Sequence, residues 1–489
     1  MMIIKKILYP ILVITLFVSC HSEVKKGTYS GEYPKIVPDY ENICIPYNIA
    51  PLNFSMQSEK IKVEIKSKKG NLVVKGKQKI FFPKKKFRNL LQKNTGDTIW
   101  ITVSSYTQNK WTTYKPFYWK VEAEPIDSFL TYRLIEPGYE VWNKVAIAQR
   151  NVTDFTETLI ADNNLVDFSC MNCHIPNKHK PSQSFFHIRG RKGMTVIADK
   201  GKRYSIDTKL KGAYSSLIYG NWHPSGNYIA FSTNAVIPST HSIHDKRAFV
   251  YDTISDVVVL NLQNNEVLTC DLLMQENVLE TFPEFSADGT KLFYCSAPRV
   301  RLPEEHDKLQ YSLCSIDFDE TTGTYGNKVD TLFNGPAMHK TVTELKASPD
   351  GKYLAFCCFS YGTFALWHND AKIYLYNLAK GTVDTLPGLN NNANYANSYH
   401  SWSTNSRWLA FASKRDNGLY SKVYFSYIDE NGQAHKPFVL PQKDPEYYDY
   451  QLKSYNVPEL MKEEVPFDAF DIEKMYRTEE PQPLHYSER

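Results

Sequence analysis

The sequence predicts an all-β protein, with an N-terminal antiparallel β-sandwich-like domain followed by a β-propeller of five or six blades. Two patterns predict it. From Cys44 to about Asp162 apolar and polar residues alternate with period two, as in KIKVEIKS, NLVVKGK and TIWITVSSYT, with Gly, Asn and Lys at the turns. After residue 215 one motif recurs four times: GNWHPSGNYIAFSTN (220–234), FPEFSADGTKLFYCSA (282–297), ELKASPDGKYLAFCCF (344–359) and YHSWSTNSRWLAFASK (399–414). Each copy is a strand end, a tight turn and a bulky apolar strand, followed by a second strand pair such as AKIYLYNLAKGTVDTL. Sheets repeated in this way bury both faces only by stacking radially on one another.

The elements follow in order. The chain has 489 residues, 42% of them hydrophobic, enough for two or three folded units. Residues 1–19 read as a lipoprotein signal peptide: Lys5 and Lys6 precede the apolar run Ile7–Val18, which is short for a membrane span. The stretch FVSC resembles a lipobox, which implies cleavage before Cys20 and diacylation of its thiol; an ordinary signal peptide with an unmodified cysteine is the alternative. Residues 20–40, with Pro34 and Pro38, form a tether, and 41–162 the β-sandwich-like domain. Residues 163–193 are a junction segment, 194–442 the propeller, and 443–489 a C-terminal extension that packs on the ring.

Net charge is +4 for the whole chain and falls to about +2 once Lys5 and Lys6 are removed. No basic run interleaved with aromatics exceeds PKKKFR (83–88), so nucleic acid is not an expected partner. Cys295, Cys314, Cys357 and Cys358 sit in apolar strand-like runs and read as small hydrophobes, with a Cys295–Cys314 bridge left open. No G-x-S-x-G or H-E-x-x-H occurs, so hydrolase chemistry is not expected.

The segment DFSCMNCHIP (167–176) carries the chemistry. Its spacing, Cys170-x-x-Cys173-His174, is that of covalent haem c attachment, with both thiols as anchors and His174 as iron ligand. In FFHIRGRKGMTVI (185–197) His187 is the first candidate for the sixth ligand and Met194 the next. His179, and more remotely His241 and His244, follow. Phe185 and Phe186 would cover the macrocycle, and Arg189, Arg191 and Lys192 either pair with propionates or form a solvated loop. Three alternatives stand beside haem: a Cys170/Cys173 redox pair, a zinc site of Cys170, Cys173, His179 and His187, and a structural or inert pair. His223 and His400, within the repeats, read as buried structural imidazoles. YGTFALWHND (361–370) and GLNNNANYANSYH (388–400) either connect blades or line a central funnel.

SPDGKYLAF (348–356) matches the blade signature of TolB-type propellers, and the chain from about 190 to 442 resembles that family. Together with the lipobox, IAPLNF (49–54), CMNCH and FHIRG, it resembles a group of exported bacterial lipoproteins described as TolB-like and cytochrome c-related. The resemblance implies an exported, lipid-anchored protein, and HSEVKKG after Cys20, without an acidic pair, favours the periplasmic inner face of the outer membrane. Two functions are expected of it: haem-based electron transfer or sensing with a redox or envelope partner, and, alternatively, a non-enzymatic scaffold binding a protein or glycan.

Overall fold

The computed structural model describes residues 27–136, 144–211, 215–240, 248–391 and 394–487. Cys20, the signal segment, His241, His244 and the side chain of Cys173 lie outside the described residues.

The repeated turns fold alike. Ser286 Oγ donates to Asp288 (2.6 Å) and accepts from the Lys291 amide (3.0 Å). Ser348 does the same with Asp350 (2.7 Å) and the Tyr353 amide (2.9 Å), and Ser403 with Asn405 (2.5 Å) and the Trp408 amide (2.9 Å). The turn residue that follows is left-handed in every copy: φ is 79° at Gly226, 81° at Gly289, 70° at Gly351 and 59° at Ser406. Each turn therefore sets up an antiparallel hairpin at the start of a blade.

Six such sheets form the ring. Blade 2 runs from Met171–Asn177 to Lys202–Asp207, blade 3 from Leu217–Trp222 to Glu266–Leu268, and blade 4 from Val278–Phe285 to Thr324–Phe333. Blade 5 runs from Thr341–Ala347 to Thr382–Asp384, and blade 6 from Asn397–Trp402 to Phe438–Val439. The first strand of each is innermost. Blade 1 is composite: Phe129–Ile135, Val145–Asn151 and Glu157–Asp162 come from before the ring, while its inner strand, Ser454–Met461, comes from after it. Leu130 faces Leu460 and Leu134 faces Tyr455 across that antiparallel pair. The six inner strands then contact one another in a closed circle.

Several sequence-based boundaries shift. Residues 129–162 belong to blade 1, not to an N-terminal sandwich, because their open edge is completed by Ser454–Met461. What precedes them is a seven-stranded sheet and a short two-stranded one, Phe54–Ser55 with Lys79–Ile80. The helix Lys84–Lys93 supplies a second layer through buried Phe87, Leu90 and Leu91. This unit shares one apolar core with blades 5 and 6, and Asp127 accepts from the Thr404 amide at 2.8 Å. The 163–193 junction is instead the first hairpin of blade 2, Met171–Asn177 with Lys180–Ile188. The C-terminal extension closes the ring, forms the helix Ala469–Thr478, and adds Gln482–Pro483 and His485–Tyr486 as parallel edges to blades 2 and 3. Cys295 and Cys314 lie on adjacent strands of blade 4, but Cys295 pairs with Leu313 and Cys314 with Tyr294. They point to opposite faces, into different cores, and both are free thiols.

Leu460 is fully buried where the closing strand meets the rest of blade 1. Leu460→Ala is expected to cost about 2–5 kcal/mol in equilibrium unfolding; a loss under about 1 kcal/mol would show that closure contributes little.

Candidate functional site at the ring axis

Each inner strand carries a bulge at the same place. The ladder to the next strand breaks register between Asn172 and Ile175, Ile218 and Asn221, Thr281 and Glu284, Thr343 and Lys346, and Ser398 and His400. In blade 1 the break falls opposite Asn456 and Glu459. A residue other than glycine takes a left-handed conformation there: Tyr219 (46°), Phe282 (51°), Glu344 (57°), Tyr399 (43°) and Val457 (50°). A bulge re-aims side chains, and six of them around one axis turn side chains inward. Aligned on these breaks, Cys173 occupies the bulge position of blade 2, and His174 the position of His400 in blade 6.

The result is a cavity of about 450 Å³ on the axis, to which all six inner strands contribute, among them through Asn456, Asn172, Tyr219, Phe282, Glu344 and Tyr399. Arg133 and Arg189 enter from blades 1 and 2, and the Arg133 Nε has no hydrogen-bond partner although buried. Lys346 pairs with Glu459 at 2.8 Å, joining blade 5 to the closing strand. Lys414 Nζ sits 3.1 Å from the centre of the Trp367 ring. Burial raises the Glu344 carboxyl to about 7, against the opposing pull of the Cys357 thiol, the Tyr399 amide and Lys346. Glu284 is likewise raised to about 7 by burial, partly offset by Lys346 and the Ala347 amide.

The structure separates the residues that the haem reading needs together. Cys170 reaches the cavity wall; His174 does not. The His174 ring is buried against blade 1, near the backbone of Thr131 and Val457, and burial together with Arg133 and Lys346 lowers its pKa to about 3. His187 lies on the other face of blade 2: its Nδ1 meets Thr195 Oγ1 at 2.7 Å, and its ring packs on Phe185 and on Phe231 of blade 3. Met194 lies two strands out, in the apolar core between blades 1 and 2, which Phe186 shares; Phe185 is in the core with blade 3. His174 and His187 therefore lie on opposite faces of blade 2 and do not fit as the two ligands of one iron, whereas His174 and Met194 both face blade 1, from strands two apart. His179 sits in the far turn of the same hairpin, its Nδ1 2.8 Å from the Leu460 carbonyl, roughly 25 Å along the strand from Cys170. That excludes the Cys170/Cys173/His179/His187 zinc set.

His223 links two blade turns, with Ser225 Oγ 2.8 Å from Nδ1 and the Gly289 carbonyl 3.1 Å from Nε2. The rim segments do line the funnel in part, through Phe364, Leu366 and Trp367 of the first and Tyr399 and His400 of the second. Sequence reasoning missed Arg133, Lys346 and Glu459. One signal was present: NVPEL (456–460) repeats the FPEF of 282–285, with Pro458-Glu459 in the place of Pro283-Glu284. It also missed Glu344, Cys357 and His400, whose ligand atoms lie within 4.8 Å of one another. No spacing announces them, because they come from three strands.

No family model matches the chain, and no curated protein does. Among solved structures it is similar to a Mycobacterium tuberculosis puromycin-hydrolyzing peptidase (10% identity, TM-score 0.37, covering 62% of this chain and 46% of that one). It is also similar to an oligogalacturonate lyase in complex with manganese (14%, 0.35, 63% and 72%). A third is the β-propeller domain of Cps50 (Swd1) from Myceliophteria thermophila (10%, 0.34, 67% and 92%). The chain spans less than half the length of the peptidase.

Two outcomes are expected. Protein matured in its own envelope with a haem-attachment system should give no pyridine haemochrome after denaturation and no added mass at Cys170 and Cys173; a covalent haem there would overturn this geometry. His187, lowered from 6.5 to about 3 by burial and by Arg189, stays neutral in the folded state. The unfolded chain binds that proton below pH 6.5, so the stability His187 contributes is present above that pH and is lost as pH falls toward 3. Between pH 7 and 4.5 the native protein should lose roughly 2–3 kcal/mol more than His187→Phe in denaturant titrations; equal losses would place the imidazole in water.

Proposed function

We propose that the protein is a non-enzymatic binding module whose axial cavity takes a small carboxylate-bearing ligand with a ring, such as an acidic sugar, the glycan form of the scaffold reading. The observation that carries this is the Arg133 guanidinium, half-buried on the cavity wall. A fixed positive charge there favours an anionic acceptor, and a hydrogen bond to a charged group contributes about 1.5–3 kcal/mol. Arg189 adds a second guanidinium, while Tyr219, Phe282, Trp367 and Tyr399 supply flat apolar walls for a ring. Asn172, Asn221 and Asn456 offer amides suited to hydroxyls. A volume near 450 Å³ falls in the range of small-molecule sites. The lipobox-like FVSC supports export and a lipid anchor at Cys20, which would hold the module against a membrane in the cell envelope. Covalent haem is not part of this proposal, since His174 and His187 face opposite sides of blade 2.

Calorimetry on the full mature protein tests it, with glucuronate and glucose as probes. Glucuronate is expected to bind, glucose not, and Arg133→Met to weaken the acid by roughly 10–100-fold. Equal binding of both sugars, or an Arg133→Met variant that binds glucuronate unchanged, would refute the assignment. Palmitate labelling of the same protein should disappear in Cys20→Ser.

A further inference from the structure

Glu344, Cys357 and His400 meet at the interface of blades 5 and 6. Glu344 lies on the inner strand of blade 5, Cys357 on the second strand of that blade, and His400 on the inner strand of blade 6. Cys357 Sγ is 3.0 Å from Glu344 Oε2 and 3.9 Å from His400 Nδ1. The thiol and the imidazole are buried, and Glu344 and His400 also line the axial cavity. The other bulge positions hold Tyr219, Phe282, Tyr399 and Val457, so blade 5 alone among these places a carboxylate there.

We propose that these three side chains bind a divalent transition ion of the zinc class, with a fourth coordination position open to the axial cavity. One thiolate, one imidazole and one carboxylate are a borderline-soft set that selects Zn²⁺ or Co²⁺ over Mg²⁺ or Ca²⁺. Bonds of about 2.0–2.3 Å arranged tetrahedrally place ligand atoms roughly 3.3–3.8 Å apart, and the distances here bracket that range. Charge also balances: thiolate and carboxylate together neutralise the ion in a site where an unpaired charge would be costly. The thiol proton, which in the metal-free protein points at Glu344, leaves to solvent as the metal–sulfur bond forms, so binding releases protons. Burial and Glu344 both raise the Cys357 pKa, so the thiol waits in its neutral form. The charged group acting on His400 is Lys346, across the blade interface. Three protein ligands leave one coordination position open, unlike the four protein ligands of a closed structural zinc site. Any ligand in the cavity would meet that open position.

The test titrates chelator-treated, full-length mature protein with Co²⁺. One equivalent is expected to produce intense tetrahedral visible bands and a near-ultraviolet thiolate-to-cobalt band, both abolished by one equivalent of Zn²⁺ and untouched by Mg²⁺. Cys357→Ser should remove the near-ultraviolet band, Glu344→Gln and His400→Phe should each weaken Co²⁺ at least tenfold, and Cys170→Ser should leave the spectrum as it is. No stoichiometric Co²⁺ spectrum, or a thiolate band that survives Cys357→Ser and vanishes in Cys170→Ser, would overturn the proposal. If Cys357→Ser does not fold, cobalt-edge X-ray absorption of the native protein decides, with one sulfur in the coordination shell expected and none or two refuting it. The readout is independent of glucuronate binding, so either proposal can fail alone.

Discussion

Everything in this fold depends on one pairing, Phe129–Ile135 with Ser454–Met461. A blade is a sheet with two apolar faces, and it buries both only against neighbours on either side. Until the last blade finds the first, two faces of the ring stay open to water. The chain solves this by holding back the inner strand of blade 1 until the other five blades have been made. The N-terminal sheet depends on the same closure, because its core continues into blades 5 and 6 and Arg150 of blade 1 donates to the Pro441 carbonyl at 2.9 Å. The cavity depends on it too, since Asn456, Val457 and Glu459 of the closing strand line its wall. A pairing this distant in sequence pays a large loop entropy before it gains any contact, so closure is expected late in folding.

The turns were the legible part of the sequence. A Ser-x-Asp-Gly run states its own hydrogen bonds, and the bulky strand after it states its burial, so blades 3 to 6 could be read directly. Blades 1 and 2 lack that turn. Blade 2 turns through Asn177-Lys178-His179, and blade 1 has no hairpin at its inner strand at all, because that strand arrives from the other end of the chain. Local signals cannot report a pairing of that kind, and the alternation in 129–162 was assigned to the unit beside it in sequence. For the same reason a strand that completes a blade, Ser454–Met461, read as part of a polar extension.

The strand that carries CMNCH obeys a related constraint. The spacing of two cysteines and a histidine specifies haem only where the local backbone lets both sulfurs and the imidazole reach one porphyrin. In an extended strand, successive side chains alternate between faces, and a bulge changes the alternation at one point. Cys170 thereby reaches the axis while His174 is turned into the interface with blade 1. The same strand mechanics put His187 and Met194 on opposite faces of blade 2.

His174 and His400 show that position alone does not set chemistry. Both follow the bulge on an inner strand, both are buried, and both turn toward the preceding blade. What differs is the face they meet. His174 finds backbone groups of Thr131 and Val457 and the positive charge of Arg133, surroundings that disfavour a cation. His400 finds a thiol and a carboxylate already within reach of each other. The imidazole is the same in both interfaces; among the described residues the second and third donors meet it in only one of them, and they are contributed by strands whose sequences, SPDGKYLAFCCF and TELK, show no metal-ligand spacing. A ring of equivalent positions thus lets one blade interface specialise while its counterparts remain packing, and the specialised one is found by asking what each neighbour supplies.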